Sequence, residues 1–342
     1  AGCEIRSVYA GSAGSHIKGF NSHGVIAVKG GEVSPRDIER ALDAAKAVAI
    51  PLDREVIHIL PQEYIVDDQR GIADPMGMAG VRLEVKVHIV TGAVTSAQNI
   101  VRSCHKSGLD VSDIVLESLA SAKAVLTEEE REIGVALIDL GGGTCDIAIF
   151  ANDSIKHTGV LALGGQNLTN DIAFGLRTPM AAAEKIKIKH GAAIAEMVRP
   201  DEYIEVPSVG GREPRRLSRQ VLAEICEPRM EEILTLLDQE LVRSGLKNMI
   251  GAGVVLTGGT ALIQGCQELG EQVFNLPTRI GYPRNVGGLK DMVNSPKFAT
   301  AMGLLRFGAE KEGMEQKFRI RSDGNVFNSI LSRMKKWFSE IS

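Results

Sequence analysis

The sequence predicts an α/β protein large enough for two lobes, with a small α+β unit near its start. Three observations carry this. Two hydrophobic strands, ending at Leu140 and Leu256, each run into a glycine-rich turn, Gly141-Gly142-Gly143 and Gly258-Gly259. Between Val81 and Val90, apolar Val81, Leu83, Val85, Val87 and Ile89 alternate with Arg82, Glu84, Lys86 and His88, the period of a half-buried strand. The chain has 342 residues, enough for two lobes with separate cores.

Taken in order, residues 4–9 are β-like and end in small residues, and 25–28 form a short apolar strand. Ser34 and Pro35 open a helix with apolar spacing through Ile38, Leu42, Ala45 and Val48. Strand candidates at 56–60 and 62–66 flank Pro61. Residues 13–88 thus read as a small α+β unit, and 1–12 and 89–130 flank it. There a helix spans 97–106, a strand 114–116 and an alanine-rich helix 117–126. Strands at 135–140 and 145–150 are joined by the glycine triplet, and a third at 156–163 ends at Gly164-Gly165. Helices follow at 166–175, 179–190 and 217–245. The last two flank a connection at 203–216 rich in Gly, Pro and Arg. Residues 253–256 are a buried strand, and 296–307 the final helix of the body. Residues 308–325, charged and poor in apolar side chains, predict a flexible linker. Residues 326–342 close the chain as an amphipathic helix.

Composition excludes several classes. Hydrophobic residues are 44% and charged residues 24%, ordinary for a globular protein. A net charge of −4 supplies no basic field, so no nucleic-acid partner is expected. The five cysteines form no C-x-x-C pair, which argues against a disulfide framework or a structural zinc and for reduced cytosolic thiols. No run approaches the roughly 18–20 apolar residues that span a bilayer.

The chemistry sits in the turns. In Asp139-Leu-Gly141-Gly142-Gly143-Thr144-Cys-Asp146, glycines let backbone N–H groups approach an anion closely. Asp139 at the strand end can hold a magnesium ion through waters, and Asp146 re-enters the next strand. Three consecutive glycines exceed what a tight hairpin needs. Thr257-Gly258-Gly259-Thr260 is a second strand-to-helix turn, suited to a phosphate or ribose but common in α/β folds. Glu184 and Lys187 lie three apart on one helix, ordinarily a surface ion pair.

Together these pieces resemble the actin-like ATPases, whose lobes are duplicated ribonuclease-H-like units. In that superfamily the Asp-x-Gly-Gly-Gly-Thr turn is the second phosphate loop, the Gly-Gly-Thr strand end is the adenosine loop, and the Glu-x-x-Lys helix packs on the purine and ribose. Further motifs resemble the FtsA family of bacterial cell-division proteins: Ile59-Leu-Pro-Gln-Glu-Tyr64, the 80–89 strand, Glu205-Val-Pro-Ser-Val-Gly-Gly-Arg212 and Ala223-Glu-Ile-Cys-Glu-Pro-Arg229. The order of parts agrees over essentially the whole chain, and the resemblance implies a first lobe of 1–12 with 89–130, the unit at 13–88 inserted into it, and a second lobe of 131–178 with 246–307 and an outer part at 179–245.

The resemblance implies ATP and Mg²⁺ as cofactors, with Gly164 and Gly165 added to the nucleotide residues, and at most weak ATPase activity. Glu117 matches the position where related filament proteins orient the attacking water; as a helix-first glutamate it equally favours the helix dipole. The implied partners are the FtsZ C-terminal peptide, the protein itself in a filament, an anionic membrane surface and later divisome proteins. The implied location is the cytoplasmic face of the inner membrane at the septum, where the protein tethers FtsZ filaments. Arg212, Arg215, Arg216 and Arg219 crowd one region of the outer second lobe; they read as a solvated basic loop or, by the resemblance, as the FtsZ-peptide site. The family's first phosphate hairpin has no counterpart before Glu4, so this chain reads as lacking an N-terminal segment and as a poor ATP binder alone. A pilus-assembly relative is the nearest rival reading. Chaperones carry a long peptide-binding domain after the core, and sugar kinases need a base facing a sugar cleft.

The tail is legible by itself. At about 100° per residue, Val326, Phe327, Ile330, Leu331, Met334, Trp337, Phe338 and Ile341 fall within an arc of roughly 140°. Arg333, Lys335 and Lys336 make the opposite face basic, suited to anionic lipids. At about 1.5 Å per residue it is roughly 25 Å long and half polar, so it is expected to lie on a bilayer rather than cross it.

Overall fold

The computed structural model describes residues 5–285, 287 and 290–321. The tail at 326–342, expected from the sequence to be an amphipathic helix on a membrane surface, lies outside the described residues. Two units are distinguished, Ala1–Leu304 and Leu305–Ser342, and the sheets and the candidate site lie in the first.

After β1 (Ser7–Ser12), the inserted unit runs β2 (Lys18–Ala27), α1 (Pro35–Lys46), β3 (Arg54–Val66), β4 (Gln69–Ile72) and β5 (Arg82–Ala93). Its strands form one antiparallel sheet in the order β2-β5-β3-β4. Ser34 and Asp37 close a capping box at the start of α1, so that helix begins where the sequence places it. Leu83, Val85, Val87 and Ile89 are fully buried in one core with Ala41 and Ala45 of α1. The two strand candidates around Pro61 are one strand. Pairing with β5 shifts between Pro61 and Glu63, and this bulge absorbs the N–H that proline lacks.

The chain continues through α2 (Val94–Lys106), β6 (Asp110–Leu116), α3 (Glu117–Val125), α4 (Glu128–Ile133), β7 (Val135–Leu140), β8 (Cys145–Ala151) and β9 (Ser154–Leu161). Next come α5 (Gly165–Gly175), α6 (Met180–His190), β10 (Tyr203–Val206), β11 (Arg215–Ser218), α7 (Arg219–Arg243), β12 (Val254–Thr257), α8 (Cys266–Phe274), β13 (Thr278–Ile280), α9 (Lys290–Val293) and α10 (Ala299–Arg321). β6 pairs in parallel with β1. The main sheet has the order β13-β12-β7-β8-β9, parallel from β13 to β7 and antiparallel from β7 to β9.

β7 and β8 are buried on both faces, which is why they read as unbroken hydrophobic runs. Ile138, Leu140, Ile147 and Ile149 share a core with Leu168 and Ile172 of α5 and Leu234 and Leu237 of α7. Val135, Leu137, Ala148 and Phe150 share another with Ala122 and Val125 of α3.

Two expectations are corrected. The connection at 203–216 contains a hairpin, β10 against β11. Ile204 and Val206 are buried while Tyr203 and Glu205 are exposed, a period-2 pattern too short to stand out beside its Gly and Pro neighbours. The flexible linker expected at 308–325 is helical as far as Arg321, because α10 continues without a break. Ala, Glu, Lys, Met and Gln are strong helix formers, so low apolarity there marks no end of the helix. Among the described residues no helix is long and apolar enough to cross a membrane.

Candidate nucleotide site

The turns singled out in the sequence converge on the end of the main sheet. β7 ends at Leu140 beside β12, with Asp139 opposite Thr257, so both glycine turns leave the sheet side by side. Thr260 Oγ1 donates to the Gly141 carbonyl (2.9 Å), tying one turn to the other. The third turn joins them: Gly165 N–H donates to Gly141 O (3.0 Å) and Gln166 N–H to Gly142 O (2.7 Å). A Cβ on Gly164 would lie 2.7 Å from Gly142 O, so glycine is needed there for the turns to touch. At Gly258 the backbone is left-handed (φ 87°), and a Cβ would fall 2.4 Å from Asp139 Oδ1.

Gly142 and Gly143 differ. Neither adopts a positive φ, and a Cβ on either would meet nothing within 4 Å. The fold therefore makes no demand for glycine at these two positions. Open space over a bare backbone, beside two buried carboxylates, suits a ligand that approaches the chain closely.

Lys187 and Glu184 of α6 act within the site wall. The Lys187 ammonium is only 8% exposed; it donates to Gly165 O (2.8 Å) and Thr169 Oγ1 (2.9 Å) and pairs with Glu184 (2.7 Å). Thr169 donates in turn to Glu184. Burial works against the Glu184 charge, but the bonds from Lys187 and Thr169 prevail and hold its carboxyl below the usual range. The expected surface ion pair is thus a fastener between α5 and α6.

Three carboxylates carry the electrostatics. Asp139 Oδ2 accepts from Ser121 Oγ (2.6 Å) and Thr300 Oγ1 (3.2 Å), while burial raises its pKa. Asp146 accepts from Thr144 Oγ1 (3.0 Å) at Oδ2, and its buried Oδ1 has no partner. Burial pushes Asp146 up to about 7, with the charges of Asp139 and Glu117 adding to the rise. Glu117, first residue of α3, is raised by burial and then by the Asp139 charge. Such clustering costs free energy that a bound cation would relieve. Among the described residues no three metal-ligating side chains are grouped to hold an ion by themselves. One or two carboxylates and a water-rich shell are what Mg²⁺ carried by phosphates requires, and Asp139 and Asp146 fit it.

These shifts fix a pH dependence. Between the ordinary aspartate value near 3.8 and about 7, folded Asp146 keeps a proton that the unfolded chain has lost, so stability falls as pH rises through that window. His88 opposes it at the lower end: burial depresses His88 to about 4, so its contribution is present above 6.5 and is lost as pH falls through 4. At pH 6 most of the His88 contribution is already present, so the fall between pH 6 and about 7 belongs mainly to Asp146. Asp146→Asn should raise the melting temperature of the ligand-free protein at pH 8 by several degrees and lose most of the stabilisation by Mg²⁺-nucleotide. Calorimetry at pH 6 and 8 checks both.

Sequence reasoning missed Ser121, Thr169 and Thr300. Ser121 had a signal, since it lies four residues after Glu117 on the same helical face. Thr300 reaches Asp139 from a distant element and had none. The arginines are placed elsewhere. Arg212 is exposed, Arg215 donates to the Leu176 carbonyl, and Arg216 stacks 4.3 Å from the centre of the Tyr203 ring. Arg219 departs from the expected basic patch: its guanidinium bonds the His190 carbonyl (2.8 Å), Glu202 (2.6 Å) and Gln264. With those partners it holds the hairpin to α6 and is not free for a ligand.

The fold and this glycine-lined cleft define an actin-like protein carrying an inserted SHS2 domain. A solved "PilM-PilN type IV pilus biogenesis complex" superposes with a TM-score of 0.60 at 16% identity, over 88% of this chain and 79% of that chain. The profile "Cell division protein FtsA" matches residues 136–303, and "SHS2 domain inserted in FTSA" matches 14–91. The cell division protein FtsA of Pseudomonas aeruginosa is 50% identical over 98% of this chain and 82% of its own length. Those of Escherichia coli K12 and Borreliella burgdorferi are each 41% identical, over 98% and 99% of this chain and 82% and 83% of their own lengths. The chain belongs to the FtsA family of cell-division proteins.

Proposed function

We propose that this chain binds Mg²⁺-ATP in the cleft of the three glycine turns and, as a filament, tethers FtsZ polymers to the cytoplasmic face of the cell membrane. The observation that carries the nucleotide reading is the pair Gly142 and Gly143, glycines that the fold itself does not require, in the turn that leads to Asp146 with its unpartnered Oδ1. The backbone of these glycines would cradle phosphate, while Asp139 and Asp146 hold the hydrated magnesium. The purine would lie along α6 between Glu184, Lys187 and the 258–260 turn. Glu117 would orient water for slow hydrolysis. The magnesium nucleotide supplies the reacting phosphoryl group; the chain supplies binding and orientation.

For the FtsZ peptide, acidic and apolar by family, the matching surface is the β10–β11 hairpin. Arg215 and Arg216 lie there, and Phe174 is 88% exposed two residues before the Leu176 carbonyl that Arg215 grips. Arg219 is left out of this site. The tail at 326–342 supplies the membrane end. One such helix binds reversibly, and many on one filament bind firmly. Division-site location and recruitment of later divisome proteins follow from that tether.

The test is co-sedimentation with anionic liposomes, Mg²⁺-ATP and FtsZ filaments. Deleting residues 326–342 should release protein and FtsZ from the liposomes while leaving FtsZ-peptide binding intact. Arg216→Glu should do the reverse, keeping the protein on liposomes without FtsZ. Liposome binding that survives the tail deletion would refute the tether.

A further inference from the structure

The inserted unit bonds the strand end that leads into the candidate site through His58. His58 lies on β3, and its Nε2 accepts the backbone N–H of Leu116 at 3.0 Å. Leu116 ends β6 and immediately precedes Glu117 and α3. It is 1% exposed and its side chain packs in a core with Ile17 and Val90 from the inserted unit. No side chain caps the start of α3, so this imidazole is the side-chain anchor found at the strand-to-helix junction.

Two consequences follow from the geometry of α3. Glu117 and Ser121 are four apart, so they share one face of the helix. Ser121 Oγ bonds Asp139 Oδ2 at 2.6 Å, so the register of α3 sets both the Glu117 carboxylate and a partner of the magnesium-side aspartate. β1 confines Glu117 from another side, for a Cβ on Gly11 would lie 3.0 Å from Glu117 Oε1. A carboxylate held between a glycine wall and an anchored helix start has little freedom, and whatever moves the anchor moves the carboxylate. β3 belongs to the same sheet as β2 and β5, so the anchor moves with the inserted unit as a body.

We propose that His58 is a positioning residue through which the inserted domain sets the orientation of Glu117 in the nucleotide cleft. The inference rests on the nucleotide reading above and adds its control: a contact made by the inserted domain reaches the cleft through His58, Leu116 and α3.

The test uses two variants of the full chain. His58→Phe keeps a flat ring and removes the acceptor; His58→Gln restores an acceptor at similar reach. His58→Phe should lower kcat for Mg²⁺-ATP about tenfold with KM and Mg²⁺-ADP affinity within about twofold of wild type, and His58→Gln should recover most of the loss. A general packing defect would instead move affinity and turnover together, and glutamine would not rescue. Without nucleotide, the Glu117 carboxyl ¹³C resonance should shift in His58→Phe and return in His58→Gln. Absence of turnover in the wild type would count against hydrolysis alone, and that resonance would still decide the positioning. An unchanged Glu117 resonance in a folded His58→Phe protein overturns the proposal, as does failure of His58→Gln to restore it.

Discussion

Gly142→Ala is expected to leave the protein folded and to weaken Mg²⁺-nucleotide binding at least about tenfold, a loss near 1.4 kcal/mol. The added methyl meets no protein atom within 4 Å and the backbone there has no positive φ. Its effect on stability should therefore stay within about 1 kcal/mol, with a small gain possible from a stiffer unfolded chain. A ligand held by the bare N–H groups must move outward to clear the methyl, and its hydrogen bonds to them lengthen and weaken. Gly258→Ala is the contrast. Its methyl would sit 2.4 Å from Asp139 Oδ1 and 2.5 Å from Leu140 O at a φ of 87°. Strain and displacement should cost about 2–4 kcal/mol and abolish binding together with stability. Nucleotide titration beside denaturant unfolding of both variants separates the two cases. A Gly142→Ala protein that binds like wild type removes the main support for the phosphate cradle.

The second large effect is expected at Lys187. Lys187→Met keeps length and apolar stem but withdraws the ammonium from Gly165 O, Thr169 Oγ1 and Glu184. Glu184 is 41% exposed at its side chain, so solvent compensates much of its loss. Gly165 O and Thr169 Oγ1 keep each other as partners, but two buried bonds from a charged donor are lost, which should cost about 2–3 kcal/mol. For a protein of this size that is a fall in melting temperature of roughly 3–4 °C. Glu184→Gln should cost much less, since the amide oxygen still accepts. Because Gly165 N–H also bonds Gly141 O, loosening the first turn of α5 loosens the glycine triplet, and nucleotide affinity should fall with stability. A melting temperature unchanged in Lys187→Met would show that the ammonium is not the fastener.

The parts legible in the sequence are those whose cause is local. The capping box at Ser34 and Asp37 and the alternation of 81–90 needed no distant partner to be recognised. Failures occurred where local signals were short or ambiguous. Four-residue strands beside Pro and Gly hid the hairpin at 203–218. A charged run read as linker is helix, because charge and helix propensity coexist in Glu and Lys. Thr127 and Glu130 form a capping box on α4, and Glu130 also grips Arg279 of β13 (2.6 and 2.7 Å). The first of these is a readable pattern; the second, across 149 residues, is not.

From sequence alone came the α/β class, the three glycine turns, the candidate carboxylates and the amphipathic character of the tail, because each depends on residues within a few positions of one another. Tertiary structure alone decided that Lys187 fastens α5 to α6, that Arg219 is spent on Glu202 and His190, that Asp146 keeps an unpartnered oxygen, and that His58 of the inserted unit holds the residue before Glu117. It also separated Gly258, which the fold requires, from Gly142 and Gly143, which it does not. The division has one physical reason. Periodicity and turn chemistry are written in neighbouring residues, whereas burial, steric room and hydrogen-bond partners are set by chain segments that meet only after folding.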